Sequence, residues 1–184
     1  MSRFKSAAAT MALAGLLAGC SQSEPKATPE LPERVCWGAF SGPEVNRILA
    51  PAEKVDHQAD QFLLADADDD ASCRILADRV PSFVATAELL DFEGSAEREI
   101  WWFPDALPLD VGRAGSIRHG GATTYFACEP AASFSRPGKY VTLDIRFGGV
   151  PDEAKAQEVL PGLLKDFLAF AERELRCGGG AGRK

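Results

Sequence analysis

Residues 138–149 read GKYVTLDIRFGG. Val141, Leu143, Ile145 and Phe147 alternate with Thr142, Asp144 and Arg146. That two-residue period makes a strand with one apolar and one wet face, as antiparallel sheets carry. Upstream, residues 120–130 (GGATTYFACEP) supply a partner strand, and the two predict a hairpin. Downstream, Leu160, Leu164, Phe167, Ala171 and Leu175 recur at helical spacing, with Leu163 and Leu168 beside them. Lys165, Asp166, Glu172, Arg173 and Arg176 fall largely off that stripe. Pro161 is expected to kink this helix or to open its main part, because proline offers no N–H.

Further upstream, residues 40–49 (FSGPEVNRIL) predict a short helix. Ser41 stands three residues before Glu44, the spacing of a capping box, and Phe40 and Val45 are placed as a hydrophobic staple. Val45, Ile48 and Leu49 share a face, and Pro51 ends the helix. Loss of the Ser41 hydroxyl is expected to cost about 1 kcal/mol.

Residues 65–78 (ADADDDASCRILAD) follow. Asp66, Asp68 and Asp70 alternate like the first ligands of a calcium loop. Ala71 stands where that loop needs Gly, and Ala77 where it needs Glu, so a solvated acidic turn is the better reading. Cys73, Ile75 and Ala77 then alternate with Arg74 and Leu76 as a strand. Pro81 marks a turn, and residues 82–90 (SFVATAELL) are a second strand. Residues 98–115 carry Trp101, Trp102 and Phe103 and then two prolines, which suggests a short strand or helical turn leading into a loop. The sum is an α+β fold, with helices on one side of an antiparallel sheet of about four to six strands. A short N-terminal helix and a long C-terminal one pack against that sheet.

The start of the chain carries an address. Arg3 and Lys5 precede the uncharged run from Ala7 to Ala18. That run is too short for a bilayer core of about 30 Å, which takes about 20 helical residues. Charge, a short apolar core and then small residues is the layout of a secretory signal peptide. Residues 1–19 are read as that peptide. Its end, Leu17-Ala18-Gly19-Cys20, matches a bacterial lipobox, in which the Cys thiol takes a diacylglyceryl group and cleavage falls just before it. Two or three acyl chains on Cys20 would hold the protein on a membrane. Residues 20–34, with three prolines and scattered charges, read as a flexible tether, residues 35–177 as one domain, and residues 178–184 as a frayed tail.

Removing residues 1–19 leaves 18 basic against 27 acidic residues, a net charge of −9. That balance argues against nucleic acid, which needs clustered Lys and Arg. Four cysteines remain in the mature chain: Cys36, Cys73, Cys128 and Cys177. An even number in an exported chain reads as disulfides, and three pairings are open. Cys36–Cys73 with Cys128–Cys177 is preferred, because each bond joins a helix end to a strand next in order. Each such loop closure is worth about 4 kcal/mol in the chain-entropy view. Zinc is disfavoured: there is no C-x-x-C pair, and His57 and His119 lie far from any Cys in sequence.

Catalytic signatures are missing. Residues 38–42 (GAFSG) have the wrong spacing for a nucleophile elbow, and no H-E-x-x-H or phosphate-binding Gly loop occurs. His119 precedes Gly120 and Gly121, which a turn explains, and His57 reads as exposed. Asp91, Glu93, Glu97 and Glu99 crowd one stretch, but residues 91–99 (DFEGSAERE) look like a solvated loop rather than the apolar site a carboxylic acid catalyst needs. No metal, cofactor or catalytic residue is assigned. The best ligand candidates are aromatic: Trp37, Trp101, Trp102 and Tyr125, joined by Phe103. Filling the core is the commoner use of such residues. If residues 101 and 102 are extended, one of the two Trp should be less buried than the other.

The order of these pieces resembles uncharacterised lipoproteins of high-GC Gram-positive bacteria. The pieces are the lipobox LAGC, a Cys just before a short helix (VCWGAFSGPEVNRIL), and a second Cys in the first strand (SCRIL). A Gly-containing loop and late strand pair follow (LDVGRAGSIRHGGATTYFAC, KYVTLDIRF), and then a closing amphipathic helix (LLKDFLAFAERELRC). More distantly, the plan is similar to extracellular sensor domains of bacterial Ser/Thr kinases and to Mog1/PsbP-like modules. The resemblance implies an antiparallel sheet against helices and carries no catalytic residues; Cys177 is not part of the shared plan. The expected function is a membrane-anchored, extracytoplasmic, non-enzymatic binding or sensory module. Its partners would be the membrane, through the anchor, and an envelope protein or a small apolar ligand. A structural envelope lipoprotein without a pocket is the alternative, and an extracytoplasmic hydrolase a lesser one.

Overall fold

The strand formed by residues 140–147 lies in the middle of the sheet. A computed structural model describes residues 29–128, 138–149 and 153–177. The segment read as a signal peptide, Cys20 and the residues from 178 on lie outside the described residues. The chain enters through β1 (Arg34–Val35) and β2 (Phe40–Ser41), a two-stranded ribbon, and α1 (Gly42–Asn46). Then come β3 (Val55–Ala59), β4 (Asp70–Ala77), β5 (Val80–Leu90), α2 (Glu93–Trp101), β6 (Leu107–Leu109), β7 (Ala114–Arg118), β8 (Gly121–Ala127), β9 (Tyr140–Phe147) and α3 (Glu153–Leu175).

The main sheet has seven strands in the order β3-β4-β5-β9-β8-β7-β6, every neighbouring pair antiparallel. The α+β class stands, with more strands than the four to six expected. The extra strands are the edges. β3 (VDHQA) is mostly exposed, and β6 (LPL) carries a proline, so neither shows a clean alternation. The β8–β9 hairpin lies as the alternation predicts, with Thr123 opposite Asp144 and Ala122 opposite Ile145.

Period two sorts the residues onto two faces. Phe83, Ala85, Ala87 and Leu89 of β5 share a face with Val141, Leu143 and Ile145 of β9. On that face α3 lays down Leu160, Leu164, Phe167, Ala171 and Leu175, all in one buried cluster. Val45, Ile48 and Leu49 close the same core from the α1 side. Phe40 meets Phe83 edge-on at 5.2 Å and Phe167 at 5.2 Å. The helix is continuous from Glu153 with Pro161 inside it, so Pro161 does not open it.

Both disulfides follow the preferred pairing. Cys36–Cys73 ties the β1–β2 turn to β4, and Cys128–Cys177 ties the end of β8 to the end of α3. Three residues assigned to the tether are engaged with the domain. Leu31 packs against the core, the Glu33 carbonyl accepts from Gly42 N, and Arg34 Nε donates to Gly38 O at 2.9 Å. Among the described residues no helix is long and apolar enough to cross a membrane.

Four local expectations change. Ser41 is the N-cap of α1, but its side chain makes no capping hydrogen bond. Pro43 occupies the second helical position and removes one of the two N–H groups a cap usually binds. Pro81 is not the turn; Asp78 and Arg79 are, both at positive φ, joining Ala77 to Val80 as a two-residue hairpin loop. Pro81 instead sits in β5 at a bulge, where the missing ladder donor is tolerated. Residues 91–99 are not a wet loop: from Glu93 they form α2, which buries Ala96 and Ile100. Finally, α2 lies on the face opposite α3, packing on Leu90 and Tyr125, so the helices are not all on one side.

The acidic turn is closed by the Asp69 carboxylate and tied to β5. Asp69 Oδ2 accepts from Ala65 N and Asp66 N, and Asp68 N donates to Leu89 O.

Candidate functional site

α2 is nine residues long and covers only part of its face of the sheet. Beside its C-terminal end lies a cleft of about 300 Å³. The floor is the wet face of three strands: Thr86 and Glu88 of β5, Thr142, Asp144 and Arg146 of β9, and Thr123 of β8. Register puts Glu88 opposite Thr142, and Thr86 opposite Asp144. Arg118 of β7 enters from the side, and Glu99, Trp102 and Phe103 form the wall at the helix end.

One side of the cleft is a closed polar network. Arg118 is buried, its side chain 6% exposed against 19% for Asp144. Its Nη1 donates to Thr123 Oγ1 at 2.6 Å and its Nη2 to Asp144 Oδ2 at 2.7 Å. Thr123 Oγ1 donates in turn to Asp144 Oδ2 at 2.6 Å. Arg146 Nε reaches Asp144 Oδ1 at 2.5 Å. The Phe103 ring covers the Arg118 guanidinium at 4.4 Å, a cation–π contact that keeps water off one side. A buried guanidinium is tolerated only when paired and hydrogen-bonded in this way. Gly121 lets the strands close up here, since a Cβ would come within 2.4 Å of the Ile145 carbonyl oxygen.

The opposite side is acidic. Burial pushes the Glu88 carboxyl up, and Glu99, Asp70 and Asp68 push it further in the same direction. Asp70 is its direct cross-strand partner, so two like charges face each other.

The four aromatic residues named from the sequence do not converge. Trp37 is half-buried against the core: it packs on Phe62 at 5.1 Å, stacks on Phe167 at 5.9 Å, and its Nε1–H donates to Asp60 O. Tyr125 is buried beneath α2, its hydroxyl 3.3 Å from Glu93 Oε1. Burial raises its phenol pKa, with Glu93 and Glu97 adding to the rise. Trp101 and Trp102 are 51% and 67% exposed. They end a helix rather than lie in a strand, so the opposite-faces argument does not apply and both reach solvent. Only Trp102, with Phe103, lines the cleft. Glu99 was weighed and set aside as part of a wet loop, and Thr86, Glu88, Arg118, Thr123, Thr142, Asp144 and Arg146 were not named as site residues. The signal for half of them was present, as the wet positions of the two best-signed strands.

The histidines are off the cleft. His119 shares the β7–β8 turn with Gly120, which has φ of 76°. His57 is exposed, and its Nε2 lies 3.2 Å from both Cys36 N and Cys73 Sγ. Cys36, His57 and Cys73 bring three metal-type ligand atoms within 4.8 Å, but both sulfurs are joined in the disulfide. A disulfide sulfur has no thiolate charge to give a metal.

Comparison with known proteins adds no family: no family model matches this chain, and no curated protein or solved structure does either.

Proposed function

We propose that this protein is a lipid-anchored, extracytoplasmic binding module that holds a small ligand in the cleft beside α2 without transforming it. The observation that carries the reading is a cleft walled by two exposed aromatic side chains, Trp102 and Phe103, with Phe103 stacked on a preorganised network of Arg118, Thr123 and Asp144. Exposed aromatic faces beside convergent polar groups are the usual make-up of a small-ligand site. The two disulfides fit an oxidising compartment. The lipobox at Cys20 supplies the anchor, with the membrane as the constant partner.

The test is a titration of the full-length protein in detergent with envelope lipids, glycans, peptides and amino acids, read by tryptophan emission. A saturable shift that disappears in Trp102→Ala is expected. No shift with any of them would favour a structural envelope lipoprotein, and chemical turnover of a bound compound would favour a hydrolase built on Glu88 and Glu99. The anchor is tested separately: Cys20→Ala should abolish metabolic labelling with palmitate, and unchanged labelling would remove the lipoprotein reading.

A further inference from the structure

The cleft has two chemically different ends, and their separation follows from the register. Glu88 stands opposite Thr142, and Arg146 lies four residues further along β9. At about 3.4 Å per residue that is about 14 Å between the two backbone positions. Arg146 turns back along its strand to Asp144, two residues and about 7 Å of strand from the position facing Glu88. We propose that the cleft takes a short zwitterion whose ammonium and carboxylate are well separated, a dipeptide with free termini being the class that fits.

Each end suits one terminus. At the acidic end, Glu88 and Glu99 both line the cleft, and every charge that acts on Glu88 is another carboxylate. An ammonium placed there relieves that repulsion. At the other end, two guanidiniums share the single carboxylate of Asp144. Arg146 is 62% exposed and meets Asp144 through Nε. A guanidinium has two further nitrogens with which to hold a carboxylate. The Thr142 hydroxyl lies beside Glu88 and that of Thr86 further along the floor, where each can bond a peptide amide, and Trp102 offers an apolar wall to a side chain. A volume of about 300 Å³ lies at the lower end of the range for ligand sites, which suits two residues rather than a longer chain.

The inference rests on the cleft being the ligand site, and the experiment separates the two. Full-length protein in detergent is titrated calorimetrically with a pooled set of free dipeptides, then with their N-acetyl and C-amide forms. Free dipeptides should bind, and either blocking group should weaken binding at least tenfold. In Glu88→Gln the cost of N-acetylation should vanish while the cost of amidation stays. Arg146→Gln should show the reverse, with circular dichroism confirming that both variants fold. Doubly blocked dipeptides that bind as well as free ones would overturn the zwitterion. So would silence from every dipeptide while a lipid or glycan still shifts Trp102 emission; in that case the binding module survives. Silence from every compound overturns both.

Discussion

Under α3, the central strands present Phe83, Leu89, Leu143 and Ile145, all fully buried; on the other face the same strands present Thr86, Glu88, Thr142 and Asp144. The difference comes from what covers each side. α3 has 23 residues and α2 has nine, which at 1.5 Å per residue is about 35 Å against about 14 Å. The long helix spans its face and lets the central strands be apolar there, with Thr124 of β8 a buried polar residue whose hydroxyl donates to Val111 O. The short one covers Leu90, Ala114 and Tyr125 and stops, so the strands beyond its end must be polar. One face carries stability, and the other carries a preorganised cleft that stability can do without.

Perturbing the α3 face should give the largest effects. Phe167→Ala removes a ring that touches Trp37 and Phe40, and should cost about 4 kcal/mol in urea unfolding. A loss under about 1 kcal/mol would mean that α3 does not seat as described. Replacing Cys128 and Cys177 together by Ser frees the end of α3 and should cost about 3 kcal/mol. Non-reducing peptide mapping checks the pairing first.

The cleft face should respond less, and through charge. Asp144→Leu strands Arg118 in a buried site and should cost about 2 to 3 kcal/mol. Adding Arg118→Met should recover most of it, which a simple packing defect would not allow. Glu88→Gln should raise stability slightly at neutral pH, by removing a half-buried charge that also faces Glu99 and Asp70, and solvent screening keeps the gain small. The sign follows from the raised pKa. The folded chain holds the Glu88 proton more tightly than the unfolded chain, so that contribution is complete below the ordinary carboxyl range. It is lost as pH rises through the higher folded value. The variant's stability should therefore fall less over that window, and an unchanged pH profile would remove the acidic end of the cleft. The smallest effect is expected at Ser41→Ala, under about 0.5 kcal/mol, because the hydroxyl binds no backbone N–H.

Most of the fold was readable because it rests on short-range periodicity. Val141 to Phe147 and Leu160 to Leu175 announce a strand and a helix whatever lies elsewhere. α2 was not legible, because residues 93–99 hold only one apolar anchor, Ala96, among charges, and its burial depends on Leu90 and Tyr125. Trp101 and Trp102 were noticed for their type but misplaced, since their surroundings depend on where that helix ends.

The sequence by itself determined the α+β class, the central hairpin, the closing helix and a cysteine count that admits two bonds, all properties of residues a few positions apart. The tertiary structure alone decided that Arg118, Thr123 and Asp144 meet, that Glu88 faces Asp70, and that Trp102 lines their cleft while Trp37 packs against the core. Those meetings depend on register between strands distant in the chain and on which face a nine-residue helix covers. A two-residue period says that a side chain faces away from the core, but not which neighbour it will find there.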